Sequence, residues 1–326
     1  MAVSSEEPLV GKPGAKPGSS NAPLIECVAN FSEGVDRQVV RELRLAIASA
    51  PGILILHDTL DPDHNRSVVT FAAHPDQIVE GALRGVAKAK EKINLNLHSG
   101  VHPRVGAADV IPFVPIRDVS MADCVAVANQ LADRVWRELS IPVYLYESAA
   151  RRIERTRLEI VRRGGFEMLR DEAPINPDRA PDIGGPELHP TAGACVIGAR
   201  KFLIAYNINL NSTDLELARQ IAVKIRTSSG GLPCVKALGV MLPSVNVAQV
   251  TMNLTDFEVT PIHTVFEIVR REAAKRGVEI ADSEIIGLIP QAALENSAEW
   301  LPTVKNFSQS MVLENRLHDA LSRAKR

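Results

Sequence analysis

The order strand, helix, strand, strand, helix, strand is written twice in this chain, and few folds satisfy it. The first copy opens with LIECVAN (24–30) and continues with a helical run at 36–49. That run puts Val39, Val40, Leu43 and Ile47 on one face and stops at Pro51-Gly52. ILILHDT (53–59) and SVVTFAA (67–73) follow as strands, then a helix from Pro75 carrying Ile78, Ala82, Val86 and Ile93, then VIPFVPI (110–116). The second copy runs KFLIAYNINL (201–210), a helix with Thr213 and Glu216 as capping box, VKALGVML (235–242) and VAQVTMN (247–253). A helix from Thr260-Pro261 to Gly277 and the extended VEIADSEI complete it. The pattern predicts an α+β fold of two ferredoxin-like (split βαβ) α/β subdomains. Each would be an antiparallel sheet with helices on one face, with a ligand cleft between the uncovered faces.

At 326 residues the chain has room for two domains of roughly 150 residues each. Residues 1–23, dense in Pro, Gly, Ser and Ala, read as a disordered leader. The N-terminal subdomain is expected at 24–182, a linker at 183–198 that overlaps the Pro- and Asp-rich run 171–190, the C-terminal subdomain at 199–300, and a helical tail at 301–326. Between the two copies an amphipathic helix is expected at 120–139, a short strand at 143–147 and a charged helix at 150–163.

Composition removes several classes of function. Formal net charge is −2 and only 4% of residues are aromatic, with no K/R-G-F/Y run, so neither nucleic acid nor an anionic membrane is an expected partner. No apolar run approaches the ~18 residues of a membrane span. Cys27, Cys124, Cys195 and Cys234 show no CxxC pair and no zinc spacing, which reads as buried free thiols in a reducing, cytoplasmic setting.

Four segments carry more polar groups and glycines than turns need. NFSEGVD (30–36) clusters Asn30, Ser32 and Glu33 at a helix entrance, where capping alone would also explain them. DPDHNRS (61–67) holds Asp61, Asn65 and Arg66; it lacks the glycine and distal glutamate of a calcium loop and reads as an Asx-rich turn or a carboxylate anchor. In NLHSGVHPRVGAAD, His98 and His102 have the spacing of helical zinc ligands. Gly100 and Pro103 oppose a helix there and no HExxH glutamate is present, so no metal is expected. His102, between Val101 and Pro103 with Arg104 beside it and Gly106 following, has the placement of an acid/base working near neutral pH. RTSSGGLP (226–233), with RRGGFE (162–167) as companion, offers backbone N–H groups to an anion without a Walker or dinucleotide fingerprint, and either stretch reads equally as a turn.

ECVANFSEG, DPDHNRSVVTF, SGVHPRVGAADVIPFVP, VYLYESAA, GARKFLIAYNINL, SSGGLPCVKALGV and NLTDFEVTPIHTVFE, in that order from about Leu24 to Leu294, together resemble the glutamate formimidoyltransferase (formiminotransferase) family. The resemblance implies a transferase moving a formimidoyl group between N-formimidoyl-L-glutamate and tetrahydrofolate, in histidine degradation and one-carbon metabolism. It implies tetrahydrofolate as co-substrate in a cleft between two subdomains, usually in a homodimer. The HPRxGAxD motif makes His102 the catalytic acid/base. Folate contacts fall on Arg163, Gly164, Gly165, Phe166 and Glu167, and on Arg226, Ser228, Ser229, Gly230 and Gly231. Asn30, Ser32, Glu33, Asp61, Asn65, Arg66, Arg104 and Gly106 are left to position the substrates, Arg66 and Arg104 as fixed cations for carboxylates.

The sequence departs from the animal members of that family in three places. Those continue into a cyclodeaminase domain, whereas this chain reads as the single-activity form, working beside a separate cyclodeaminase. The loop 226–231 is shorter and less basic. An aspartate of the animal members has Thr59 at its place, with Asp58 and Asp61 nearby, so the carboxylate partner of His102 stays open. Two alternatives share the site: transfer of a formyl group from N-formylglutamate, and a folate sensor without turnover.

Overall fold

The computed structural model describes residues 22–62, 64–100, 103–242, 245–305 and 307–324. β1 (Leu24–Phe31) turns Ile25, Cys27, Ala29 and Phe31 into a core and Leu24, Glu26, Val28 and Asn30 to the opposite face, as strand periodicity requires. α1 (Arg37–Ala48) starts on Asp36, whose carboxylate accepts from the N–H groups of Gln38 and Val39 at 2.8 and 3.3 Å. β2 (Leu54–Asp61) and β3 (Arg66–Ala73) form a hairpin, and α2 (Pro75–Lys92) opens with proline in its first turn, where a missing N–H costs nothing. β4 (Ala108–Arg117) is followed by α3 (Met121–Leu139), which Ser120 and Asp123 close in a reciprocal capping box. β5 (Val143–Glu147), two short helices, α4 (Leu158–Val161) and α5 (Gly165–Glu172), and β6 (Cys195–Ala199) complete a six-stranded sheet. Its order is β2-β3-β1-β4-β6-β5, antiparallel except that β6 lies parallel to both neighbours. Leu43 and Ile47 of α1, Ile78 and Val86 of α2, and Leu131 of α3 pack on one face of it.

The second sheet is built from β7 (Ile204–Leu210), α6 (Leu215–Ile225), β8 (Val235–Leu242), β9 (Val247–Leu254), α7 (Ile262–Ala274) and β10 (Ile280–Ile286). Its order is β10-β7-β9-β8, antiparallel throughout. α6 and α7 cover one face through Ile221, Ile225, Phe266 and Val269. Gly239 lets α6 lie directly on β8, since a Cβ there would stand 2.4 Å from the Arg219 nitrogen. Trp300 is fully buried against Tyr206, ring centroids 5.8 Å apart and edge-on. α8 (Leu313–Ala324) crosses back to the first sheet, where Leu313 and Leu317 join Leu24, Leu56 and Ala72. The α+β class and the two-sheet division expected from the sequence are therefore found.

Four expectations change. The charged helix at 150–163 breaks into a 3-10 turn at Ile153–Thr156 and the short α4. The cause is Arg155, which is buried, stands 2.7 Å from Asp182 and donates to the carbonyls of Asp178 and Ala180, so it cannot stay on a solvated helical face. The stretch 183–198, expected as a linker, runs into β6, an inner strand of the first sheet; the passage between sheets is only 200–203. α6 is capped by Asp214 rather than Thr213, its carboxylate accepting from the Leu217 N–H at 2.9 Å. The expected leader lies mostly outside the described residues, yet Ala22 is already buried and its carbonyl accepts from Arg117 at 3.0 Å.

Glu26 is an ionisable residue on the face of β1 opposite α1 and α2, with 1% exposure. Burial pushes its carboxyl up from 4.5 to about 7, with Arg200 opposing. The folded state thus holds this proton more tightly than the unfolded chain between these two values. Stability falls as pH rises through that window and stays lower above it. Glu26→Gln should flatten the fall: melts at about pH 5 and about pH 8 should differ less for the variant than for the wild type.

Candidate active site

Three loops meet beyond the C-terminal end of β1, and Asn65 ties them together. Its side-chain carbonyl accepts from the Gly34 N–H at 2.9 Å, its amide donates to the Ser99 carbonyl at 2.8 Å, and its own carbonyl lies 3.0 Å from His98 Nε2. Asn65 has φ 47°, a left-handed turn that asparagine tolerates better than most residues. The loops touch because two glycines permit it: a Cβ at Gly34 would stand 2.3 Å from the Asp61 carbonyl oxygen, and one at Gly100 2.6 Å from that of His64. Ser32 then fastens the next strand, its hydroxyl donating to Gly106 at 2.7 Å and its N–H to Ala107 at 2.9 Å.

Phe31, Ser32, His64, Asn65, Arg66, His98, Arg104 and Asp109 line a small recess at this junction. Its chemistry is cationic. Arg66 donates to Asn30 Oδ1, and Arg162 is ion-paired with Asp109, whose other oxygen accepts from the Val105 N–H at 2.8 Å. Burial first, and the Arg162 guanidinium second, push Arg66 down to about 10, which still leaves it charged at neutral pH. Two largely buried guanidiniums thus lie close together, only Arg162 shown paired with the Asp109 carboxylate, and the Nε atoms of both are buried without a hydrogen-bond partner among the described residues. Arg104 forks onto Glu167 at 2.9 and 3.3 Å and donates to the carbonyls of His98 and Leu95. That hydrogen bond from Arg104 holds the Glu167 carboxyl below its usual range.

Val101 and His102, on which the acid/base expectation rests, lie outside the described residues. Both flanks are described and both are anchored, at Ser99 by Asn65 and at Val105 by Asp109.

The structure sorts the other expected residues. Asn30, Ser32, Asn65, Arg66, Arg104 and Gly106 gather at this junction. Glu33 and Asp61 are adjacent: Glu33 accepts from the Val35 and Asp36 N–H groups at 2.8 Å, and Asp61 accepts from the His64 N–H at 3.0 Å, with its imidazole 2.7 Å away, and acts electrostatically on Arg66. Asp58 is taken up by Arg44 at 3.2 Å. Phe166, expected at the folate, is instead a core residue, fully buried beneath the first sheet's loops. Gly164 and Gly165 make the turn into α5 with φ 80° and 67°. Just before that turn Arg162 pairs with Asp109 of the recess, whereas Arg163 lines a separate cavity of about 300 Å³ with Tyr144, Arg155 and Arg179. The loop 226–231 is a turn in which Arg226 donates to Ser229 at 2.7 Å, with Ser228 and Gly230 exposed. No hydrogen bond between described residues links it to the recess.

Sequence reasoning missed Asp109 and Arg162. Asp109 closes the HPRxGAxD run and could have been singled out there. Nothing in RRGG tells which arginine faces inward, because the glycine turn decides it. Among the described residues no group of three or more His, Cys, Asp or Glu is placed to hold a metal, and no helix is long and apolar enough to cross a membrane.

Comparison with known proteins follows the same division. The model of the formiminotransferase domain's N-terminal subdomain matches residues 24–200, and that of the formiminotransferase domain matches 205–323. Glutamate formimidoyltransferase of Thermoplasma acidophilum is 45% identical over 297 residues, 91% of this chain and 98% of its own length. The Streptococcus pyogenes serotype M1 protein of the same name is 43% identical, over 91% of this chain and 99% of its own. Formimidoyltransferase-cyclodeaminase of Mus musculus is 43% identical over 85% of this chain, which spans 52% of that protein.

Proposed function

We infer the reaction from a premise that these matches establish: the chain belongs to the formiminotransferase family. It is a glutamate formimidoyltransferase, an enzyme that moves a formimidoyl group between N-formimidoyl-L-glutamate and tetrahydrofolate. The entering amine must lose a proton as its bond to the formimidoyl carbon forms, and the leaving amine must gain one as its bond breaks. His102 serves both transfers in turn, imidazole being the side chain that can take up and give back a proton near neutral pH. Arg66 and Arg162, largely buried guanidiniums of which Arg162 is paired with Asp109, take a substrate carboxylate. Two buried guanidiniums whose Nε atoms have no partner among the described residues, beside the anchored flanks Ser99 and Val105, are the observation that carries the reading.

The two sheets are read as ferredoxin-like units, supported by their shared βαββ order and by the 4-1-3-2 arrangement of β10, β7, β9 and β8. A cleft between their helix-free faces is supported at both edges. α8 lies on β2 at one edge, and at the other Lys236 of β8 stands 3.0 Å from Glu159. Folate lying in that cleft would reach the recess at the end of β1. The family resemblance adds a homodimeric cytoplasmic enzyme with ammonia released by a cyclodeaminase.

The test is an assay of the purified protein with tetrahydrofolate and either N-formimidoyl- or N-formyl-L-glutamate. Transfer from the formimidoyl donor is expected. Transfer from the formyl donor alone would change the cargo, and tetrahydrofolate binding without transfer from either would make the protein a sensor.

A further inference from the structure

When glutamate is the entering amine it arrives as an ammonium, and its nitrogen must lose two protons in all. The first must leave before the nitrogen has a lone pair with which to attack. The second leaves as the bond to the formimidoyl carbon forms, and His102 carries it to the departing tetrahydrofolate nitrogen. The first has no destination in that scheme and must reach water.

Among the described residues the recess holds two imidazoles, His64 and His98, and they differ in what they can do with a proton. His98 Nε2 lies 3.0 Å from the Asn65 carbonyl, and its Nδ1 is buried with no hydrogen-bond partner among the described residues. A proton placed on that nitrogen would meet neither water nor an acceptor. His64 is built the other way. Its Nδ1 stands 2.7 Å from Asp61 Oδ2, and the two side chains are 51% and 50% exposed. A carboxylate only accepts, so Nδ1 carries the hydrogen and the neutral ring presents Nε2 as its base. A carboxylate placed so fixes both the tautomer and the orientation of a working imidazole.

The backbone beneath the ring is held as well. Asp61 Oδ1 accepts the His64 N–H at 3.0 Å, and the Asn65 N–H closes the turn onto the Pro62 carbonyl at 3.2 Å. The loop at Gly100 lies so close that a Cβ there would stand 2.6 Å from the His64 carbonyl oxygen. Around the pair lie Arg66 on the same turn, Glu33 after β1, His98 and Arg104 on the loop after α2, and Asp109 on β4.

We propose that the Asp61–His64 pair takes the first proton from the glutamate ammonium and passes it to solvent. The proposal rests on the transfer reading above and deepens it. Glutamate held at Arg66 by its α-carboxylate has its nitrogen two bonds from that carboxyl carbon, beside the turn that carries His64. The step balances. His64 Nε2 gains the proton, the ammonium becomes a neutral amine, and the imidazolium then gives its proton to water at its exposed side. Asp61 bears the opposite charge beside the ring while it is protonated.

The experiment runs the full chain from formimidoyltetrahydrofolate to glutamate, the wild type beside His64→Ala and Asp61→Asn. Without its base the enzyme must wait for glutamate that has already lost a proton in solution. In His64→Ala, kcat/KM for glutamate should fall at least ~10-fold at about pH 7. It should then climb about tenfold per pH unit up to about pH 8.5, where the wild type stays nearly level. Imidazole added to the buffer should raise the variant at least ~3-fold by taking the proton in place of His64. Asp61→Asn should lose less, since its amide oxygen still accepts the His64 N–H. An unchanged kcat/KM overturns the proposal. So does a loss whose pH profile runs parallel to the wild type, because damage to the turn alone would give no added slope. Should His64→Ala melt below the wild type, His64→Gln is read by the same slope. A wild type that transfers in neither direction would instead remove the transfer reading itself.

Discussion

Replacing His102 by alanine is expected to lower turnover at least ~100-fold while leaving the fold and tetrahydrofolate binding intact. The flanks make this a clean experiment. Asn65 holds Ser99 and Asp109 holds Val105 through groups that do not involve residue 102, so the substitution should not release the loop. The neighbouring histidine supplies the control. His98 Nε2 is committed to the Asn65 carbonyl at 3.0 Å, a structural bond, and His98→Ala should weaken the loop junction without removing the acid/base step. The two variants therefore separate by pH profile. His98→Ala should keep the limb of kcat that reports an imidazole, and His102→Ala should lose that limb along with the rate. Near-normal turnover in His102→Ala would take His102 out of the chemistry.

The fold was legible where periodicity and chain chemistry agreed. β1, α1, the β2–β3 hairpin and α2 each carry one strong apolar period and a recognisable stop, and their positions shift by only a residue or two. Legibility failed where tertiary pairing overrode local pattern. Arg155 looks like a charge on a solvated helix, yet it is buried and paired with Asp182, which lies far along the chain. No local rule reports a partner 27 residues away, as Asp182 is from Arg155. β6 was read as linker because five small apolar residues after a Pro-rich run resemble any extended passage; only its parallel neighbours β4 and β5 make it a strand. At the candidate site the same division holds. Asn65, Arg66 and Arg104 were visible as polar groups beside glycines, whereas Glu33 turned out to serve its own turn and Arg162 depended on a glycine turn that sequence cannot aim.

Asp109→Asn should destabilise the protein by about 3–5 kcal/mol, the usual cost of removing one partner from a buried ion pair. The substitution is nearly isosteric. An asparagine carbonyl can still accept the Val105 N–H, so the loss measures charge more than shape. Asp109 is 3% exposed and Arg162 13% exposed at the side chain, and without the carboxylate Arg162 and Arg66 would face one another in a recess with little water to screen them. Removing the stranded charge should repair the damage: Asp109→Asn with Arg162→Met is expected to recover more than half of the stability lost by Asp109→Asn alone, as urea unfolding of the wild type, both single variants and the double variant would measure. Turnover should not recover with it. The proposed carboxylate subsite uses the N–H donors of both guanidiniums, and the double variant keeps only those of Arg66, so KM for formimidoylglutamate should stay raised while the stability returns. Full recovery of both would mean that the pair serves the fold alone, and a single-variant cost under about 1 kcal/mol would mean that water already reaches the pair.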